Sequence, residues 1–457
     1  MGDRPGYAPL GDFYCVPSEY AEDLSRYGPG GFHPVHLGDV LSVLPGGDGP
    51  RYRILHKLGY GGQATVWLAE DMASENKRGV AIKILSSNCS GHGLDNEISI
   101  LLSLAQHHRD AAHPGSRNVV RLLDFFKLHG PNGEHDVLVF NLCFAMKDLD
   151  LRWSMKTRRR FGLQLVQGLS YLHAHGIVHG DLHRANLGIH IRAMDTIPAE
   201  RVLAHLLLRL TPVVPRDCLK YPPALMPKYT VDQPFGIDPQ MAHRLIPLIE
   251  EGGMEDLQLQ IMDLGESYGT GQPIPEPNMR ALVALSPEIL LGDFVMSEVD
   301  FTFGVRADLW ALGCTLFELL LCFRPFPGRS KDEIWCMMCG LAEGQIPEEW
   351  RGRHVHLDES AIKCLMGENT WSQLRADMLA DPLHRVPEAD VDPALALVQK
   401  LLVLEPSQRA AASEVLRDEW LVYGSGAEKE GNDGILELTP STKMLRGTAG
   451  KGQWESA

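Results

Sequence analysis

The chain has 457 residues, 44% of them apolar and 7% aromatic, enough for about two or three compact units and too many for a wholly disordered chain. Lys and Arg total 43 against 59 Asp and Glu, a formal charge of −16, which repels phosphate backbones at long range and argues against direct nucleic-acid binding. Nine cysteines, an odd count spread from Cys15 to Cys364, make no disulfide framework and suit a reducing compartment, cytoplasm and/or nucleus.

Residues 1–50 read as an N-terminal extension rich in Gly, Pro and Tyr, with a few apolar anchors. Its start lacks a basic-then-apolar signal pattern, and Gly6 stands where myristoylation needs Ser or Thr. From Arg51 the runs RYRILHKL, TVWLAED and GVAIKIL are rich in β-branched and aromatic residues and predict three antiparallel strands. Apolar residues at 94, 98, 101, 102 and 104 predict a helix. Val119–Phe126 and Val137–Phe140 predict two more strands, completing a small lobe over 51–143.

Helices dominate from 144 to 422. Lys156–Arg160, a compact basic run, reads as the solvated start of a helix that reaches Ala174. This helix aligns Phe161, Leu165, Leu169 and Leu172 and stops at Gly176. Residues 191–258 are Pro-rich and irregular and read as an insertion. Ala307–Cys322 predicts a buried apolar helix, and the most apolar stretch, Ala311–Phe323, is too short to span a bilayer. Cys336 and Cys339 read as small apolar helix residues rather than zinc ligands. Residues 423–457 read as a disordered tail.

Four segments carry chemistry. Gly59-Tyr60-Gly61-Gly62-Gln63-Ala64-Thr65-Val66 lies between two strands, so its glycines can bring backbone N–H groups to phosphate oxygens. A simple hairpin turn would also explain it. Lys83, on an otherwise apolar strand, is either an edge lysine reaching water or a cation aimed at phosphates, with Glu97 fourteen residues on to hold it. In His179-Gly180-Asp181-Leu182-His183-Arg184-Ala185-Asn186, Asp181 can accept a hydroxyl proton while Asn186 binds a metal ion. Asp263, in Ile261-Met262-Asp263-Leu264-Gly265, adds a second oxygen ligand for a hard cation.

Taken in order, these motifs resemble those of the eukaryotic protein kinase superfamily. The resemblance continues through Ser286-Pro287-Glu288 and Asp308-Leu309-Trp310-Ala311-Leu312-Gly313, and through Arg409, which it pairs with Glu288. PGGFHPVHLGDVL, RYRILHKLGYGGQATVWLA and the DLG form of the metal motif are similar to the SR-protein kinase family, especially its fungal-type members. The resemblance implies a bilobal α+β fold, with a five-stranded antiparallel sheet and one helix over a mostly helical lobe. It implies ATP and Mg²⁺ as cofactors, with Leu58, Gly59, Gly61, Gly62, Ala64, Val66, Ala81, Lys83 and the backbone of Asn141 and Cys143 around the nucleotide. Lys83, Glu97 and Asp181 would be catalytic, and Asn186 and Asp263 would hold the metal.

It further implies a monomer with no membrane partner, phosphorylating serines of basic Arg/Ser-rich proteins such as splicing factors. Candidate acidic docking residues are Asp332, Glu333, Glu348, Glu349, Asp358 and Glu359. The chain departs from the pattern at Gly180, where the family has an Arg that reads a phosphorylated activation loop. It also departs at His183, where the family has Lys, and at Ala64, which could leave the phosphate loop looser. Two alternatives stay open: a small-molecule phosphotransferase of aminoglycoside or choline kinase type, which shares HGDLHxxN, and a catalytically weak or silent scaffold.

Overall fold

A computed structural model describes residues 12–15, 18, 20–42, 50–88, 92–107, 113–146, 153–234, 244–269, 284–292, 301–343, 345–350, 359–368, 370–381 and 386–424. The expected tail beyond Gly424, residues 270–283 and docking candidate Asp358 lie outside them, whereas Tyr423 closes a helix. The side chains of Glu349 and Glu359 are likewise not described. Among the described residues, no helix is long and apolar enough to cross a membrane.

The chain divides into two compact units, one of residues 1–150 and 163–276, the other of 151–162 and 277–457. The first unit is built on an antiparallel sheet. Its strands are β1 (Val40–Leu41), β2 (Tyr52–Tyr60), β3 (Ala64–Asp71), β4 (Gly79–Leu85), β5 (Leu122–Gly130) and β6 (Gly133–Asn141), in spatial order β1-β2-β3-β4-β6-β5. The five expected strands are present, and β1 adds a sixth at the edge. Helix α1 (His92–His107) follows β4. The core under the sheet gathers Ile54, Trp67, Ile82 and Val139, with Tyr52 stacked on Phe126 at 5.9 Å between ring centroids. Strand β2 bulges at Leu55 and Leu58, where the register with β3 slips. A bulge breaks the in–out alternation, which explains why His56 and Lys57 are both buried.

β7 (Cys143–Ala145), β9 (Leu187–Ile191) and β12 (Leu257–Ile261) form a second sheet in the order β12-β9-β7, and β8 (Ile177–Val178) pairs with β13 (Tyr268–Gly269). Helix α2 (Met155–Ala174) begins in the second unit and ends in the first. The 191–258 segment holds α3 (Ala199–Leu203), the β10–β11 pair (Leu210–Pro212 with Tyr229–Val231) and α4 (Ile246–Gly252). Part of it folds with the N-terminal extension. Phe13, Leu24, Tyr27 and Phe32 pack with Tyr221 and Met226 in a second small core, and Phe13 bridges Pro215 in antiparallel fashion.

The second unit is helical: α5 (Pro287–Leu290), α6 (Phe301–Leu321), α7 (Lys331–Leu341), α8 (Glu359–Glu368), α9 (Trp371–Ala380), α10 (Glu388–Gln399), α11 (Ala412–Val415) and α12 (Glu419–Tyr423). α6 is the buried apolar helix that the sequence predicts, and α10 packs on it. Glu288 and Arg409 form a two-pronged pair at 2.8 and 2.7 Å. The same guanidinium donates to the carbonyls of Val403, Arg306 and Leu404, so all five of its N–H groups are used.

The basic run at the start of α2 corrects an expectation. Lys156 is exposed, but Arg158 and Arg159 are each only 4% exposed. Arg158 donates to Leu320 O and Arg159 to Trp420 O. These carbonyls lie in the last turns of α6 and α12, where the negative end of the helix attracts cations; Trp420 O also accepts from Gly424 N–H. Cys336 and Cys339 are buried on α7. Burial raises both thiol pKa values, that of Cys339 to about 12, so they are inert apolar fillers.

Candidate active site

Lys83 enters from β4, between Val66 and Leu138 on the neighbouring strands. Its ammonium lies 2.8 Å from Glu97 Oε1 on α1 and 3.2 Å from Asp263 Oδ1. Glu97 is 4% exposed, so its carboxylate is committed to the lysine. Burial alone would lower the Lys83 pKa, but the two carboxylates outweigh it and raise the pKa above its ordinary value. In return, the lysine charge holds Asp263 below the usual carboxylate range. Lys83 is therefore a permanent cation, and Asp263 a permanent anion, near neutral pH.

The pairing of β9 with β12 brings the other two residues in. Leu187 opposes Ile261, and the Met262 N–H donates to Asn186 O at 2.8 Å. Asn186 and Asp263 thus lie at adjacent ends of paired strands although 77 residues apart in sequence. Asp263 has φ +57, a left-handed conformation that a non-glycine residue adopts at a cost and that is frequent at functional sites.

Asn186 Nδ2 donates to both Asp181 O and Asp181 Oδ2, at 2.9 and 3.1 Å. With its amide nitrogen so engaged, its amide oxygen remains as a ligand atom. Together with the Asp263 carboxylate it makes an all-oxygen donor set, which fits a hard cation such as Mg²⁺. His183 Nε2 stands 3.4 Å from Asp181 Oδ2, while its Nδ1 accepts from Ala185 N–H. Asp181 is therefore flanked on one oxygen by two side chains.

The glycine-rich loop joins β2 to β3. A Cβ on Gly61 would meet nothing within 4 Å, and one on Gly59 only Gln233 Oε1 at 3.9 Å. The protein's own packing therefore does not demand either glycine, and the space above them is open to a ligand. Ala64 lies within β3, paired with Leu85, in ordinary extended backbone where glycine confers no benefit. Leu58 occupies the β2 bulge, and Val66 and Ala81 lie on the facing strands. At the end of β6, the side chains of Asn141 and Cys143 both turn to Gln260 Oε1 at 2.9 Å.

Sequence reasoning missed Gln260 and His179. Gln260 is 4% exposed within the alternating run LQLQI, where a polar residue on a buried face is the signal. His179 is fully buried. Its Nδ1 accepts from Asp181 N–H and its Nε2 reaches Met262 O at 3.2 Å. It thereby ties the two acidic loops together.

Residues 52–195 match the protein kinase domain family. A crystal structure of a kinase domain covers 85% of this chain and 98% of its own, with a TM-score of 0.53 at 15% identity, a likeness that shows the fold. The chain adopts the protein kinase fold, and residues 52–195 are similar to its domain family. The relatives narrow this further. The serine/threonine-protein kinase SRPK of Physarum polycephalum is 25% identical over 90% of this chain and 93% of its own length. The serine/threonine-protein kinase spk-1 of Caenorhabditis elegans is 37% identical over 37% of this chain and 17% of its own. SRSF protein kinase 3 of Homo sapiens is 33% identical over 37% of this chain and 29% of its own. The chain is thus similar to SR-protein kinases, although the matches above 30% span less than a third of those relatives.

Proposed function

We propose that the chain is a serine/threonine protein kinase that transfers the γ-phosphate of ATP to hydroxyls of Arg/Ser-rich proteins. The observation that carries this reading is the Lys83 ammonium held between Glu97 and Asp263, with Asp181 bonded to Asn186 one paired strand away. Lys83 holds the nucleotide phosphates by charge. Asp181 orients the attacking hydroxyl and accepts its proton. Asn186 and Asp263 hold Mg²⁺, which when bound neutralises charge developing on the phosphate oxygens. The backbone of Asn141 and Cys143 hydrogen-bonds the adenine. Such transfer proceeds through a loose transition state, so positioning and charge neutralisation supply most of the rate.

The protein-substrate reading is favoured over a small-molecule phosphotransferase by the Glu288–Arg409 pair, which belongs to the peptide-handling half of the resemblance. The acidic balance of −16 suits a basic partner, with Asp332, Glu333 and exposed Glu348 as described acidic candidates. The test offers labelled ATP with an Arg/Ser-rich peptide, a generic basic protein and small amino-alcohols side by side. Label in the Arg/Ser-rich peptide is expected. Label in the amino-alcohols alone would move the chain to the other class, and no turnover of ATP would leave a scaffold.

A further inference from the structure

The tip of the glycine-rich loop is held from outside by the N-terminal extension. Arg26 ends a single tight turn (Leu24–Arg26) whose start is capped by Asp23, which accepts from Ser25 N–H. Its guanidinium donates to Gly62 O and lies 3.5 Å from Gln63 Oε1. Gln63 is itself moored to Ser86, through Gln63 O at 2.8 Å and through its side chain at 3.3 Å. The guanidinium also sits 5.1 Å over the ring of Phe32, which is 2% exposed in the second core.

This arm has its own anchors. Gly30 N–H donates to Asn132 O on the β5–β6 turn, and Asn88 N–H donates back to Gly30 O. A Cβ on Gly31 would fall 2.0 Å from Arg26 O, so the chain can fold back on Arg26 only with glycine there. The buried Glu22–Lys57 pair fixes the arm to β2 two residues before Gly59. Two of the three residues between β2 and β3, Gly61 and Gly62, carry no side chain, so the tip gains its position from bonds to its backbone and to Gln63.

We infer that Arg26 is a positioning residue for the phosphate-binding loop, and that docking of residues 20–33 sets the affinity for nucleotide. The second half of this inference rests on the kinase reading above; the first does not. The test uses the full chain and its Arg26→Ala and Arg26→Lys variants. Arg26 is only partly buried, so both should fold with nearly unchanged melting temperature. Amide exchange at Gly61, whose N–H is bonded to Ala64 O, reports opening of the loop without nucleotide. It should quicken about tenfold in Arg26→Ala, and the Kd for a Mg²⁺-bound non-hydrolysable ATP analogue should rise about three- to tenfold. Arg26→Lys, which keeps a charged donor for Gly62 O, should recover most of both. Wild-type exchange and affinity in Arg26→Ala would overturn the inference, as would changes that merely track a drop in melting temperature. If exchange responds but the wild type transfers no phosphate, the kinase reading fails and the brace stands.

Discussion

Lys57 has no exposed side-chain surface, and its ammonium is balanced by Glu22, 1% exposed, on the N-terminal arm. Tyr27 Oη donates to the same carboxylate at 2.6 Å, and the ammonium lies 4.8 Å over the Trp67 ring. Burial pushes the Lys57 pKa down, while Glu22 and the nearby Asp232 push it up. A buried pair adds little net stability over a well-packed apolar pair, but removing one partner strands the other charge. Glu22→Ala should therefore cost about 3–5 kcal/mol in urea unfolding. Glu22→Leu with Lys57→Met should recover most of that loss, and equal losses in both variants would contradict the account.

Gly180 shows what one residue dictates for an element. It has φ +80, and a Cβ there would lie 2.5 Å from Glu266 O, at the start of the segment that pairs β13 with β8. An arginine at 180 is excluded by backbone, so the family's phosphate-reading residue has no place here. Ser267, a hydroxyl residue of this stretch, is fully buried and donates to His179 O. We expect phosphatase-treated protein from bacteria to be active, and a requirement for modification by another kinase would refute this. Gly180→Arg should lose about 2 kcal/mol from the left-handed backbone alone, with the clash added, and should lose activity rather than gain a switch. A variant as stable and active as wild type would contradict the geometry.

The elements differed in how far their sequence announced them. β2, β3, β4, α1 and α6 follow from local periodicity, and Lys83, Glu97, Asp181, Asn186 and Asp263 are legible because each stands in a fixed place relative to such an element. β1 is two residues long and exists only through its pairing with Tyr52 and Arg53, so no periodicity could reveal it. The burial of Arg158 and Arg159 depends on carbonyls about 160 and 260 residues away. The Arg26 clasp on Gly62 likewise joins residues 36 apart through a turn. Composition marks the N-terminal extension as irregular, and periodicity marks the basic run as helical, without saying what either touches.

At the scale of the molecule, the extension and part of the 191–258 segment act together as a brace on the sheet. His33, on the arm, stacks edge-on against His135 of β6 at 5.0 Å. Burial, and then the neighbouring His135, lower the His33 pKa from 6.5 to about 4, with Asp39 opposing and His36 adding to the fall. Burial also lowers that of His135. The unfolded chain thus binds protons that the folded one refuses. Stability is full above about pH 6.5 and falls as the pH drops towards 4, by about 3 kcal/mol for His33. Melting at pH 7.5 and pH 5 should show the loss, and His33→Phe should flatten it; an unchanged slope in that variant would count against the brace.

The central claim is that Asp181 receives the proton of the attacking hydroxyl in a centre whose nucleotide is gripped independently by Lys83. Phosphotransfer and nucleotide affinity measured together on Asp181→Asn test it most directly. Transfer should fall by about 10²–10⁴-fold while the Kd for Mg²⁺-bound ATP stays within about twofold of wild type. Unchanged turnover in Asp181→Asn would contradict it.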